Sequence, residues 1–118
     1  MQGPDGKLIP ITPAVRSGGF ILLSGQLALR DGKIVGETIE EQTDVVIDNI
    51  KALLTPLGKD LKDVVKVTVW LVRPADFAAF NTAYARHFAP PFPARSAVAS
   101  QLLIPGALIE IEALVAAE

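Results

Sequence analysis

The sequence predicts an α+β sandwich in which two helices pack on one face of a mostly antiparallel sheet. Three observations support this class: short apolar runs with strand-like alternation, two segments with helical periodicity, and the order β-β-α-β-α-β-β along the chain. The 118 residues fit a single domain, 1–118, and half of them are apolar. That composition is sufficient for a substantial core.

The first two predicted strands form a hairpin. The stretch GGFILLSGQLAL contains an apolar run that indicates a strand from Phe20 to about Ser24. The dipeptide Asp31-Gly32 is typical of a tight turn between antiparallel strands. We therefore expect the strand from Phe20 to pair with the one that follows this turn.

The segment TIEEQTDVVIDNIKALL predicts the first helix. Thr38 and Glu41 have the spacing of a capping box, and Pro56 with Gly58 marks the helix end. The apolar residues recur at helical spacing and form one stripe, consisting of Ile39, Val46, Ile50, Leu53, Leu54 and Leu57.

The middle of the chain predicts a strand, DVVKVTVWLV, followed by a helix that starts at Pro74, a favoured first helical position. Strand alternation separates two faces. The inward set is Val65, Val67, Val69 and Leu71, and the outward set is Lys66, Thr68 and Trp70. The helix has an aromatic stripe that we interpret as core, made of Phe77, Phe80, Tyr84 and Phe88.

The last two predicted strands run from Ala94 to about Gln101 and through ALIEIEALV, with a turn at Pro105-Gly106 between them. A plain hairpin about this turn would place Arg95 opposite Ala116. The inward residues of the last strand are Ile109, Ile111, Ala113 and Val115, and the opposite face has Glu110 and Glu112.

Composition excludes several classes of function. The net charge is −2 and the basic residues are dispersed, which argues against nucleic-acid binding. The chain has no cysteine and one histidine, so we expect no disulfide, no thiolate chemistry and no metal site. No apolar stretch is long enough to span a membrane. The N-terminus MQGPDGKLIP lacks a signal pattern, so we expect a cytoplasmic protein.

Arg95 is the first candidate functional residue, because it interrupts an apolar strand and its guanidinium always requires an anionic partner or water. One interpretation is a structural ion pair with Glu110 or Glu112, or a subunit contact. The other is an anchor for a ligand carboxylate, held through two parallel hydrogen bonds.

The other candidates are weaker on pattern alone. A glutamate among isoleucines is partly desolvated and could move protons, but alternation does not separate Glu110 from Glu112. Gly25 allows close approach of a ligand to the backbone. Asn81 lies beside aromatic positions of the second helix. His87, near the end of that helix, suits the negative end of the helix dipole better than a catalytic role.

Six blocks of the chain together resemble the RidA (YjgF) family of reactive-intermediate imine deaminases. These blocks are FILLSGQLAL, EEQTDVVIDNIKALL, DVVKVTVWLV, DFAAFNTAY, PARSAV and IEIEALV, and they cover the chain from about Ile11 to Val115. The resemblance implies a chorismate-mutase-like fold and a homotrimer with ligand sites in the clefts between subunits. The high apolar content is consistent with such an assembly.

The resemblance also implies roles for individual residues. Arg95 would bind the substrate carboxylate, and Glu110 would bind the attacking water. The implied pocket lining is Ser24, Gly25, Asn81 and Ala97, where Ala97 would contribute its backbone N–H. Many members have a tyrosine where Ile11 stands and a cysteine where Ala97 stands, so the lining of this pocket differs.

The implied activity is hydrolysis of 2-imino acids, the tautomers of enamines, to 2-keto acids and ammonia without a metal or organic cofactor. A non-catalytic trimer that binds keto acids or amino acids is the main alternative, and a pathway-specific deaminase is another. A ribonuclease fits poorly with an acidic chain. A chorismate mutase would need more cationic groups than Arg95 alone.

Overall fold

The computed structural model describes residues 6–118 of the chain, so the first five residues of the N-terminal segment considered above lie outside the described part. It shows the predicted α+β architecture. The elements in chain order are β1 (Ala14–Ser17), β2 (Phe20–Gln26), β3 (Leu29–Arg30), β4 (Lys33–Ile34), α1 (Ile39–Leu54), β5 (Val64–Leu71), α2 (Phe77–Ala85), β6 (Ala94–Ala99) and β7 (Ile109–Ala116).

Five strands form the main sheet in the order β1-β2-β7-β5-β6. All neighbours are antiparallel except β5 and β6, which are parallel. The last strand along the chain therefore occupies the centre of the sheet. α1 packs against α2 and against β2 and β7 on one face. The opposite face of the sheet has no helix among residues 6–118 and is called the open face below.

The strand from Phe20 does not pair with the strand after Asp31-Gly32, so the predicted hairpin is wrong. The turn at Asp31-Gly32 does form, with Asp31 at φ 52° and Gly32 at φ 77°, but it joins the short strands β3 and β4 in a sheet of their own. The hairpin that contains β2 is formed with β1, across a turn at Gly18, and β7 pairs with β2 on its other side. The segment AVRS lacks a continuous apolar run, so β1 was not predicted.

The last two strands also differ from the expected hairpin. β6 and β7 are not neighbours, because β5 lies between them and pairs with both. Arg95 is opposite Val67 of β5, whereas the hairpin would have placed it opposite Ala116. The helix α2 provides the crossover that a parallel β5–β6 pair requires.

The predicted inward alternation of β7 is confirmed, since Ile109, Ile111, Ala113 and Val115 are buried. In β5 the assignment of Val65 is wrong. A register shift between Val64 and Lys66 turns Val65 outward, where 39% of its surface is exposed, and Val64 is buried instead. A bulge of this kind inserts one extra residue into a strand, so the side chains before it point to the opposite faces of the sheet.

α1 begins as predicted. The Thr38 side chain accepts a hydrogen bond from the Glu41 backbone N–H at 3.1 Å, and the Glu41 carboxylate accepts one from the Thr38 N–H at 3.2 Å. Its inner face is buried at Ile39, Val46, Ile50 and Leu54, but Leu57 lies beyond the helix and is exposed.

A buried amide fixes the segment that leads into β7. The Gln42 side-chain N–H₂ donates to the carbonyls of Gly36 and Gly106 at 3.0 and 2.9 Å, and its oxygen accepts from the Leu108 N–H at 2.8 Å. Gln42 is 1% exposed, and these bonds satisfy both ends of its amide. Its contacts set the start of the strand to which Glu110 belongs. None of the described helices is long and apolar enough to cross a membrane.

Candidate functional site

Arg95 lies on the edge strand β6, and its side chain is on the helix-covered face because it is directly opposite the buried Val67. There it contacts the aromatic stripe of α2. The guanidinium carbon is 5.8, 5.2 and 5.0 Å from the ring centroids of Phe77, Phe80 and Tyr84. At these distances the rings attract the cation, so they hold the side chain in a defined position.

The guanidinium of Arg95 forms no ion pair and no side-chain hydrogen bond with any of residues 6–118. The interpretation of a structural ion pair with Glu110 or Glu112 within the chain is therefore wrong. A guanidinium on rings retains all five N–H donors. The charge is thus available to an anion from outside the chain.

A cleft of about 330 Å³ adjoins Arg95. It is lined by Asn81, Tyr84, Ala85, Phe92, Pro93 and Arg95. The predicted residues Asn81 and Arg95 are therefore close together, in surroundings that are mostly apolar. Ala97 lies two residues along β6, on the same face, and lines a neighbouring apolar cleft of about 250 Å³ with Phe77 and Pro74.

Glu110 lies on the open face, opposite Trp70 of β5. Partial burial raises the pKa of its carboxyl above the ordinary value, and the negative charge of Glu112 raises it further. A Cβ on Gly25 would overlap the Glu110 carboxylate, so these two residues are in direct contact. Glu112 is exposed on the same face. The structure therefore separates the two glutamates that the strand pattern left equivalent.

Ser24 and Gly25 lie at an irregularity of β2, where the pairing with β7 shifts between Leu23 and Gln26. The Ser24 hydroxyl donates to the Thr12 carbonyl at 2.6 Å, and the Ser24 N–H donates to the Pro13 carbonyl at 2.9 Å. These bonds hold the segment that contains Ile11 along the end of β2. Ile11 is 45% exposed.

The predicted site residues thus form two groups on opposite faces of one sheet. Arg95, Asn81 and Ala97 are on the helix-covered face, whereas Glu110 and Gly25 are on the open face. Within one chain a single small molecule cannot touch both groups, because the sheet separates them. A site that uses Arg95 together with Glu110 requires a second copy of the chain.

His87 belongs to neither group. Its Nε2 is 2.7 Å from a carboxylate oxygen of Asp44, at the contact between α1 and the end of α2. Among residues 6–118, no three histidine, aspartate or glutamate side chains are grouped so that they could hold a metal ion.

The cleft also contains residues that are not among the predicted site residues, namely Tyr84, Ala85, Phe92 and Pro93. The sequence predicts Tyr84 as core and assigns no role to the other three. The available signal was the position of Phe92 and Pro93, three and two residues before Arg95 in FPAR.

Comparison with known proteins gives consistent matches over nearly the whole chain. The family model described as Endoribonuclease L-PSP matches residues 8–117. A RutC family protein of Pyrococcus horikoshii is 43% identical over 107 residues, which are 89% of this chain and 85% of that protein. Reactive Intermediate Deaminase A of Arabidopsis thaliana, a chloroplastic protein, is 40% identical over 87% of this chain and 56% of that protein.

A solved structure, that of RidA from the Antarctic bacterium Psychrobacter sp., matches with a TM-score of 0.85 and 33% identity. The match covers 93% of this chain and 90% of that one.

Proposed function

This chain belongs to the Endoribonuclease L-PSP family, which is also the YjgF/RidA family, and on that basis we propose that it is a cytoplasmic deaminase of reactive 2-imino acids. The substrates are imino acids and their enamine tautomers. The products are the corresponding 2-keto acid and ammonium. The observation that best supports the proposal is the free guanidinium of Arg95 beside a mostly apolar cleft.

Arg95 supplies the recognition step. Its guanidinium binds the substrate carboxylate through paired hydrogen bonds, which set both position and orientation. The rings beneath the guanidinium restrict its motion, so less conformational entropy is lost when the ligand binds. The backbone N–H of Ala97 is a further donor on the same strand.

Glu110 supplies the hydrolytic step. Its carboxylate accepts a proton from a bound water while the water oxygen attacks the imine carbon, which gives a carbinolamine. The same carboxyl then returns the proton to the nitrogen and takes the hydroxyl proton as the C–N bond breaks and the carbonyl forms. That last proton passes to the departing ammonia, so the products are the 2-keto acid and ammonium. Burial raises the pKa of Glu110 above its ordinary value, which favours a group that must both take and give a proton. A protonated imine is already electrophilic, so the reaction needs no cofactor.

The proposal includes a homotrimer, because each site then combines Arg95 of one subunit with Glu110 of the next. The open face supports such an assembly. It exposes large apolar side chains that a helix would otherwise cover, namely Phe20 at 45%, Leu22 at 47% and Val98 at 48%. Phe20 and Leu22 lie on the same face of β2, and neighbouring exposed apolar side chains of this kind favour an interaction surface.

The test is a coupled assay in which an amino-acid oxidase generates imino acids and semicarbazide traps those that have not been hydrolysed. We expect the protein to reduce the trapped product, and Arg95→Ala to abolish the effect while assembly survives. Arg16→Ala removes an exposed arginine of β1 and serves as the matched control.

An assembled Arg95→Ala variant with full activity would refute the mechanism. Binding of a keto acid by the wild-type protein without turnover of any imine would indicate the alternative, a non-catalytic binding trimer.

A further inference from the structure

The hydroxyl of Tyr84 is buried without a hydrogen-bond partner among residues 6–118. The whole residue is 5% exposed. Buried polar groups in folded proteins are nearly always paired, and an unpaired one costs about 1–3 kcal/mol of stability. Residues 6–118 offer this phenol no partner, so any partner has to come from outside them.

Two neighbouring rings fix the position of this hydroxyl. The Tyr84 ring centroid is 5.4 Å from that of Phe80 and 4.5 Å from that of Phe88, which are both buried. The ring therefore cannot turn away to reach solvent without breaking the core.

The same side chain lines the cleft that contains Asn81 and Arg95. The guanidinium carbon of Arg95 lies 5.0 Å from the Tyr84 ring centroid. A carboxylate that pairs with this guanidinium is thus held close to the Tyr84 side chain.

The hydroxyl is a hydrogen-bond donor at neutral pH. Burial raises the pKa of Tyr84 to about 12, even though the charge of Arg95 acts in the opposite direction. The phenol therefore keeps its proton. A carboxylate bound by two guanidinium N–H groups still has free lone pairs, which can accept this proton in a hydrogen bond.

We propose that Tyr84 is a further ligand-binding residue of this cleft. Its hydroxyl donates a hydrogen bond to an oxygen of the carboxylate that Arg95 binds. This inference rests on the carboxylate site of the proposed function but not on turnover. The ligand class it predicts is any small 2-keto or 2-imino acid with a free carboxylate.

The first test measures the binding of 2-oxobutyrate to the assembled protein by calorimetry. Tyr84→Phe keeps the ring and removes only the hydroxyl, and we expect it to weaken binding about tenfold or more, as for a hydrogen bond to a charged group. Thr82→Ala is the matched control, since it removes an exposed hydroxyl from the same helix. Arg95→Ala is the reference for loss of the anchor.

The second test uses the fact that the chain has a single tyrosine. A sample labelled with ¹³C at the phenol carbon gives one signal for Tyr84. We expect 2-oxobutyrate to shift this signal in the wild-type protein and not in Arg95→Ala.

The outcomes separate the two proposals. One outcome is that Arg95→Ala loses binding, whereas Tyr84→Phe binds as tightly as wild type and has an equal or higher unfolding midpoint. This outcome would refute the role of Tyr84 and would support carboxylate binding by Arg95. If the wild-type protein binds no keto acid, both the anchor and the role of Tyr84 are refuted.

Discussion

The contact between Gly25 and Glu110 is a constraint at the scale of a single residue. The φ angle of Gly25 is not in the left-handed region, so its backbone does not require glycine. What requires glycine is space, because the carboxylate of Glu110 occupies the position that a Cβ would take. The groups that would collide are the flexible end of one side chain, so a substitution here moves Glu110 and leaves the fold in place.

Gly25→Ala is therefore expected to impair activity more than stability. The unfolding free energy should change by about 1 kcal/mol or less, as is usual when a side chain can move aside. Imine turnover should fall about tenfold to a hundredfold, because a displacement near 1 Å of a catalytic group has effects of that size. Thermal unfolding and the coupled imine assay on the same sample measure the two quantities.

Gly19→Ala is the matched control. A Cβ there meets only the Glu118 carboxylate at 3.8 Å, an ordinary contact. Full activity of Gly25→Ala, with unchanged stability, would show that Glu110 does not act from its observed position.

At the scale of elements, the sequence predicted local structure well and pairing poorly. The capping box of α1 and the alternation of β7 depend on residues a few positions apart, and both are as predicted. The partners of β2 and β6 depend on packing across the whole chain, and both were wrong. The candidate site residues could be recognised from the resemblance to a known family. Their division between the two faces of the sheet could not be predicted, because it depends on the strand pairings.

The link between α1 and α2 is a second feature at this scale. Asp44 of α1 is 2.7 Å from His87 Nε2 and accepts from Arg86 at 3.2 Å. Partial burial would raise the pKa of Asp44, but the His87 hydrogen bond and the Arg86 charge outweigh it and hold this pKa below its ordinary value. The ionised carboxylate therefore stabilises the helix pair.

Asp44→Asn is expected to lower the unfolding free energy by about 1 kcal/mol or less, because the pair is partly exposed and screened by solvent. The direction in which this loss of stability depends on pH follows from the lowered pKa of Asp44. The difference from wild type should be fully present above pH 3.8, the ordinary value, and should disappear as the pH falls through the lower pKa of the folded state. Denaturant unfolding across this range measures it.

Asp48→Asn provides the comparison on the same helix. Asp48 is 3.6 Å from Arg30, and about half of each side chain is exposed, so its effect should be smaller. Equal effects of the two substitutions at every pH would contradict the stabilising role of the Asp44 link.

At the scale of the whole molecule, the sheet separates Arg95 from Glu110, so the proposed site requires a second subunit to bring them together. In a cyclic trimer each site would take Arg95 from one subunit and Glu110 from its neighbour. A subunit that lacks Arg95 can still supply Glu110, and the reverse is also true. Two inactive variants should therefore restore each other.

Co-expression of Arg95→Ala with Glu110→Gln is expected to give mixed trimers with measurable turnover. In trimers that contain both variants, about a third of the sites combine the natural Arg95 of one subunit with the natural Glu110 of another. The imine assay on trimers purified through two different tags measures the recovery. Arg95→Ala mixed with the double variant must remain inactive, and a failure of recovery in verified mixed trimers would place the whole site within one subunit.

The position of β7 has a consequence for synthesis on the ribosome. β7 is the last strand along the chain, yet it joins β1 and β2 on one side to β5 and β6 on the other. Until Ile109–Ala116 has emerged, the nascent chain holds two half-sheets whose inner edges are unpaired, and such edges promote aggregation. The five-stranded sheet therefore cannot be completed before Ile109–Ala116 is available, and a chain cut before β7 is expected to lack a stable sheet.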